Sequence, residues 1–358
     1  MANLTPRLDL TDGNYIINGA FDYWQRATSA TISKTTSDGW AQQAYVADRT
    51  CSNVYRNGFD LSVTTSQQTD VPNSSLQYSL KVASNGNYTL GATQTTIAPF
   101  MQYIEGTTVA NLNTADSLYI SLWVKSNISG TFPFALQKWN SASSAIESSY
   151  VFTDTLVANT WKQVTKQITL PGSAIHKSTF TSFRLSLGAI GGSSSFYTTN
   201  SINQWVNGDY STTSSATNWA ATSGNYVQFT GVKLSKYAHT EFSRAGSTLI
   251  NELMLCQRYY EKSYLLSDPP GTVSWTSCYG TSGRIVRPTF SFKVTKRSTP
   301  QMVLYNPSNG NAGYVYNSGS NTATTVAEPG VSGFRINGPV AAGTDNDVGF
   351  HWTADTEF

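Results

Sequence analysis

The chain has 358 residues, 12% of them charged and 13% aromatic, with a formal net charge of +2. That length exceeds one ordinary core, so two domains are expected; no run of Lys and Arg marks a nucleic-acid face. No stretch approaches eighteen apolar residues, so no membrane insertion is expected, and the surplus of rings over charges favours a neutral partner met by stacking and hydrogen bonds, most often carbohydrate.

In chain order, residues 1–14 come first, with Pro6 and acids at Asp9 and Asp12 but no apolar core of a secretory signal. They read as an arm on a protein made in a cytoplasm. Asn-Gly pairs at Asn18, Asn57, Asn85, Asn207, Asn309 and Asn337, and Asp-Gly at Asp12 and Asp38, offer the positive φ that tight turns need. Between them lie short alternating runs. Leu118, Ile120, Leu122 and Val124 face one way, while Tyr119, Ser121, Trp123 and Lys125 face the other. The runs 161–170 and 180–187 repeat the style, with Phe183, Leu185 and Leu187 on one face. In 225–234 the alternation of Val227 and Phe229 shifts phase before Val232 and Leu234, which predicts a β-bulge at Gly231. The fold class is therefore all-β, with a jelly-roll sandwich over 15–243.

Two Gly, Ser and Thr-rich stretches, 191–195 and 210–215, frame Tyr197, Trp205, Tyr210 and Trp219. They predict a long, wet, ring-bearing insertion that binds a ligand or a subunit. Trp205, Trp219 and Trp139, with Tyr197 and Tyr210, are the candidates for stacking on a pyranose, and Asn203, Gln204, Asn207 and Asp209 would bond its hydroxyls. Trp205 is foremost among them, being close to Asn207 and Asp209. For each ring the alternative is that it fills the sandwich or a subunit seam.

Ser247 to Lys262 shows Leu249, Leu253, Cys256 and Tyr260 at helical spacing, widened by Ile250 and Met254, with Ser247 or Thr248 as N-cap. It predicts one α-helix within a connector spanning 244–265. Leu249, Leu253, Cys256, Arg258 and Tyr260 would join the domains or subunits. The turn Asp268 to Gly271 then opens a smaller β-sandwich domain over 266–358, with strands expected over 284–294, 301–305, 313–316, 333–336 and 349–353. Lys293, Lys296, Arg297, Arg284 and Arg287 make its strands locally basic, which reads as charge on a solvated edge or as a site for anionic polysaccharide.

Chemistry leaves few marks. Cys51, Cys256 and Cys278 have no metal-ligand spacing, and His176, His239 and His351 sit in no nucleophile or metal pattern. Glycoside hydrolysis needs only two carboxylates, for which Glu105, Glu147, Asp154, Asp209 and Glu241 are the pool. Phe21 and Trp24 are expected to plug the sandwich, with Asp22 and Arg26 pairing with Asp48 or Arg49.

Four landmarks occur in order: Asn14 to Arg26, Ala47-Asp48-Arg49, Thr240 to Arg244 followed by Glu252 to Glu261, and Gly349 to Phe358. Together they resemble the fibre and receptor-binding proteins of tailed bacteriophages. The strand 119–125 and Thr160 to Gln163 are also similar to jelly-roll carbohydrate-binding modules. The resemblance implies a virion protein, a fibre or fibre-tip subunit that forms a homotrimer, binds host-surface polysaccharide without covalent chemistry, and attaches to other tail or capsid proteins through its N-terminal arm. The alternatives are a capsid- or tail-attached assembly protein with no receptor role, or a glycan depolymerase. Modules of this kind also suggest calcium near Asn18 and Asp22, held by backbone oxygens and a carboxylate.

Overall fold

The computed structural model describes residues 13–35, 41–55, 60–238, 241–271, 276–280, 289–317, 319–336 and 346–358. The chain divides between Glu252 and Leu253 into two compact units. The turn residues Asp12, Asp38, Asn57 and Asn337, together with His239, Arg284 and Arg287, lie outside the described residues. So do residues 1–12 of the expected arm; Asn14 is buried, its side-chain amide donating to the carbonyls of Val232 and Ser243.

In the first unit the strands are β1 (Ser29–Lys34), β2 (Ala41–Tyr45), β3 (Cys51–Tyr55), β4 (Leu61–Gln68), β5 (Ser79–Ser84), β6 (Thr96–Glu105) and β7 (Ser117–Ser126). They continue as β8 (Gly130–Trp139), β9 (Ile146–Leu156), β10 (Lys162–Thr169), β11 (Thr181–Leu187), β12 (Ile190–Gly191), β13 (Trp205–Asn207) and β14 (Tyr226–Ser235). One sheet has the order β1-β4-β5-β14-β7-β10, the other β13-β9-β8-β11-β6-β3-β2 with β12 beside β6. Neighbouring strands pair antiparallel. Because β14 sits between β5 and β7, and β6 between β3 and β11, the sheets are wound into a sandwich and not a simple meander.

Alternation decides which side chains meet between the sheets. Leu118, Ile120, Leu122 and Val124 of β7 are buried against Phe183, Leu185 and Leu187 of β11, Phe132 and Phe134 of β8 and Phe100 of β6 in one apolar cluster. Phe21 and Trp24 join it, as their sequence context suggested. Register between β14 and β7 shifts between Thr230 and Lys233, and Gly231 there has φ +59, so the bulge is present and Val227, Phe229, Val232 and Leu234 all stay in the core.

The helix is shorter than its periodicity predicts. α1 runs from Leu249 to Gln257, and Tyr260–Lys262 is a strand. Thr248 caps it, its hydroxyl accepting from the Asn251 N–H. The apolar stripe is not docked evenly, for Cys256 is fully buried while Leu249, Ile250 and Met254 are exposed, Ile250 at 75%. The boundary between the units falls inside this helix.

The second unit contains β15 (Tyr260–Lys262), β16 (Thr276–Gly280), β17 (Thr289–Ser291), β18 (Gln301–Tyr305), β19 (Tyr314–Asn317), β20 (Ser320–Ala323), β21 (Val326–Ala327), β22 (Gly333–Ile336) and β23 (Asn346–Asp355). The long β23 pairs with β15, β16, β18 and β19, while β17, β22 and β21 form a second small sheet. Phe290 and Phe334 of the small sheet meet Phe350 and Trp352 of β23 at ring-centroid distances of 5.0 and 5.4 Å, so two sheets share an aromatic core. Of the described basic residues expected on its strands, Lys293 is exposed, while Lys296 and Arg297 are used internally. Lys296 is buried with its ammonium 2.6 Å from the Glu261 carboxylate, and Arg297 lies over the Phe358 ring.

Candidate functional site

The β11 sequence Thr181 to Leu187 alternates core residues with Ser182, Arg184 and Ser186, which point to the opposite face of the eight-stranded sheet. Arg184 pairs across β11 with Tyr103 of β6 and Gln137 of β8. Its guanidinium lies 5.8 Å from the Tyr103 ring and 5.7 Å from the Trp139 ring. Its Nε donates to Gln137 Oε1 at 2.9 Å and its Nη2 to Asp209 Oδ1 at 2.5 Å. Gln137 Nε2 donates to that same Asp209 oxygen at 3.0 Å and to the Tyr210 carbonyl. A cation buried in a sheet face is tolerable only with such partners.

Asp209 is placed by its neighbours in the chain. The Ser149 hydroxyl on β9 donates to the Gly208 carbonyl at 2.7 Å and accepts from the Tyr210 N–H at 2.9 Å, pinning both sides of Asp209. Burial raises the Asp209 carboxyl above the ordinary carboxylate range, against the opposing pull of Arg184 and Gln137. Burial likewise pushes the Tyr103 and Tyr197 hydroxyls up.

Above this pair opens a cleft whose walls include Tyr55, Tyr103, Tyr197, Arg184, Asn53 and Ser211. Tyr55 and Tyr197 stand edge to face at 5.1 Å. The cleft holds about 70 Å³, the room of a few water molecules at roughly 30 Å³ each. It suits a hydroxyl-bearing edge of a ligand whose body lies across the surrounding rings.

The insertion expected to be wet is instead packed. Ser195, Ser211, Thr212 and Thr213 are buried, Thr198 bridges to Thr212, and the Thr212 hydroxyl donates to the Ala189 carbonyl. Of the sequence candidates, Tyr197, Trp139 and Asp209 converge on Arg184, and Tyr210 contributes its carbonyl. Trp219 does not belong to a binding surface; it is 0% exposed in the core, its indole N–H bonded to the Gly188 carbonyl at 3.0 Å. Trp205 is half-buried on the edge strand β13, its indole N–H given to the Thr169 carbonyl and its ring against Tyr150, with exposed Asn207 two residues on. Tyr55, Tyr103, Gln137 and Arg184 were missed. An arginine at a polar position of an otherwise apolar strand was the available signal for the last.

The other expected chemistry is used elsewhere. Asn18 Oδ1 accepts from the Tyr23 N–H, and Arg244 grips both oxygens of Asp22 at 2.7 and 3.0 Å. The calcium expected there finds these side chains committed to protein partners. Asp48 bonds Gln25 and lies 3.9 Å from Arg26. Glu147 bonds Lys138 and Asp154 bonds Lys162, so with Asp209 three of the five acids considered for hydrolysis face cations. Glu252, fully buried, accepts the N–H groups of Asn18 at 2.5 Å and Gly246 at 2.6 Å, and burial raises its carboxyl against those bonds. The landmarks around Asn18, Asp48, Arg244 and Glu252 thus form a buried polar framework within the first unit.

No family model matches the chain, and no curated protein matches it. Among solved structures it is similar to the enzymatically active domain of bacteriophage CBA120 tailspike protein 4, at 13% identity and a TM-score of 0.34 over 62% of this chain and 21% of that one. It is also similar to the CBM22-2 xylan-binding domain of Paenibacillus barcinonensis Xyn10C, at 14% identity and a TM-score of 0.27, covering 57% of this chain and 98% of that domain. A third match is the Clostridium thermocellum xylanase 10B fragment with CBM22-1 and GH10 modules, at 14% identity and a TM-score of 0.30, over 56% and 28% of the two chains. The chain spans about a fifth of the tailspike structure and a little over a quarter of the xylanase. With TM-scores of 0.34 or less, these likenesses carry no argument about ligand or reaction.

Proposed function

We propose that this chain is a glycan-binding subunit of a tailed-phage virion, a fibre or fibre-tip protein that holds host-surface polysaccharide without covalent chemistry. The observation that carries the binding half is the cleft over Arg184, where tyrosine rings meet a guanidinium that Asp209 holds in place on one sheet face. Aromatic faces stack on the C–H faces of sugars and polar groups at their rim fix orientation. The virion half is supported by the ordered landmarks from Asn14 to Phe358. Assembly as a homotrimer is part of the same reading; the exposed face of Leu249, Ile250 and Met254 on α1, near Leu253, Cys256, Arg258 and Tyr260, supports a subunit contact there. Each site would bind weakly and three copies would act through avidity.

A glycan array probed with the full chain tests the binding half. At least one host-surface glycan should be retained, and Tyr197→Ala should weaken it about tenfold, the loss of a stacked ring. An array with no retained glycan would remove the proposal.

A further inference from the structure

We propose that the cleft is selective for N-acetylated aminosugars, taking a sugar edge whose acetamido group meets Asn53 and an apolar floor beside it. This rests on the glycan-binding reading of the same cleft. On β3, Cys51, Asn53 and Tyr55 alternate with Ser52 and with Val54 of the sandwich core, so they point to the outer face of the eight-stranded sheet. Asn53 lies opposite Ala98 of β6, and Cys51 opposite Met101. Cys51, Ala98, Met101 and Ala189 form a small apolar cluster apart from the main core. Two of its members, Ala98 and Met101, line the cleft and give it an apolar floor.

Two lining groups await a partner. Among the described residues neither the Asn53 side-chain amide nor the Ser211 hydroxyl makes a hydrogen bond, and Ser211 is only 3% exposed. Ser211 is held in place, its N–H donating to the Tyr197 carbonyl at 2.9 Å, while the Tyr197 N–H donates to the Ser195 hydroxyl at 3.2 Å. A primary amide offers N–H donors and a carbonyl acceptor, which an acetamido group answers with its own C=O and N–H. Its methyl then covers Ala98 and Met101. A plain hydroxyl can bond Asn53 but leaves that floor wet, and a free amine brings a second cation to a poorly solvated site already lined by Arg184. Ser211 remains for a neighbouring ring hydroxyl. The volume agrees: about 70 Å³ is the room of roughly two water molecules, enough for an acetamido group and too little for a whole sugar ring.

The test is selectivity, measured on an array that carries 2-acetamido-hexose oligosaccharides beside linkage-matched 2-hydroxy and 2-amino counterparts. The full wild-type chain should retain the acetamido glycans at least about tenfold better than either counterpart, the worth of an added hydrogen bond and a buried methyl. Asn53→Ala should bring the acetamido and 2-hydroxy glycans close to parity. Ala98→Val, which fills the floor, should cut acetamido retention and spare the 2-hydroxy glycans. Wild-type chain that binds 2-hydroxy glycans as well as their acetamido partners overturns the proposal while leaving glycan binding in place. So does an Asn53→Ala protein, shown folded by its melting curve, that keeps the wild-type preference. Absence of any binding removes the underlying reading and this proposal with it.

Discussion

Asp209 and Glu252 are both carboxylates that burial holds above their ordinary range, and acid affects them differently. Arg184 is the titratable group that acts on Asp209, and Asp209 in turn raises Tyr103 and Tyr197. Protonating Asp209 removes the counter-charge that fixes Arg184, so glycan retention by the cleft should fall in mild acid. Array profiles at descending pH would check this. For Glu252 the effect is on stability. Its folded value lies above the ordinary 4.5, so just above 4.5 the native state binds more protons than the unfolded one. Its contribution therefore grows as pH falls into that window and is lost as pH climbs past the folded value. The pH slope of melting temperature should change in Glu252→Gln by this amount, whatever the variant's absolute stability. Trp219, buried in the core, gives a further contrast. Trp219→Ala should cost about 3–5 kcal/mol by leaving a cavity and orphaning the Gly188 carbonyl, which calorimetry would show as a large fall in melting temperature.

At the scale of elements, the bulge in β14 keeps both halves of that strand facing the core. A Cβ at Gly231 would stand 3.3 Å from Leu76 and Trp123 at a φ of +59, so Gly231→Ala should cost about 1–2 kcal/mol. In the second unit, Lys296→Met leaves Glu261 charged and buried with its cation gone and should cost about 3–5 kcal/mol. Denaturant titration reads both. These elements also show what sequence could and could not reveal. The bulge and the β7 alternation were legible because a period of two, and its one-residue slip, is written in the order of the side chains. The helix end was not. Tyr260 fits the helical stripe, yet Tyr260–Lys262 gains a ladder with β23, a partner nearly a hundred residues away that local periodicity cannot register. The cleft was half legible for the same reason. Rings and acids in the insertion stood out by composition, whereas Tyr103 and Gln137 became site residues only as cross-strand neighbours of Arg184, and Tyr55 only through its ring contact with Tyr197. Trp219 misled because a tryptophan in a Ser and Thr-rich stretch resembles a binding ring until the core claims it.

At the scale of the molecule, a sandwich with a cleft on the outer face of its eight-stranded sheet is followed by a second, smaller β unit. The homotrimer belongs to this scale. Sedimentation of the full chain at micromolar concentration should give a single species of three chains, and Leu253→Asp should lower that assembly while the sandwich stays folded. A stable monomer would count against trimerisation and against avidity as the source of attachment strength.

The central claim is that the cleft face of the eight-stranded sheet, and not the face of the other sheet, holds the glycan. Trp161, beside Lys125 and Asp70 on that other sheet, is the natural control ring. Isothermal titration of the best array glycan into wild type, Tyr197→Ala and Trp161→Ala measures the claim directly. The expected result is a loss of about tenfold in affinity for Tyr197→Ala and an unchanged affinity for Trp161→Ala, both proteins melting as wild type. Full affinity in Tyr197→Ala, or loss confined to Trp161→Ala, would contradict it.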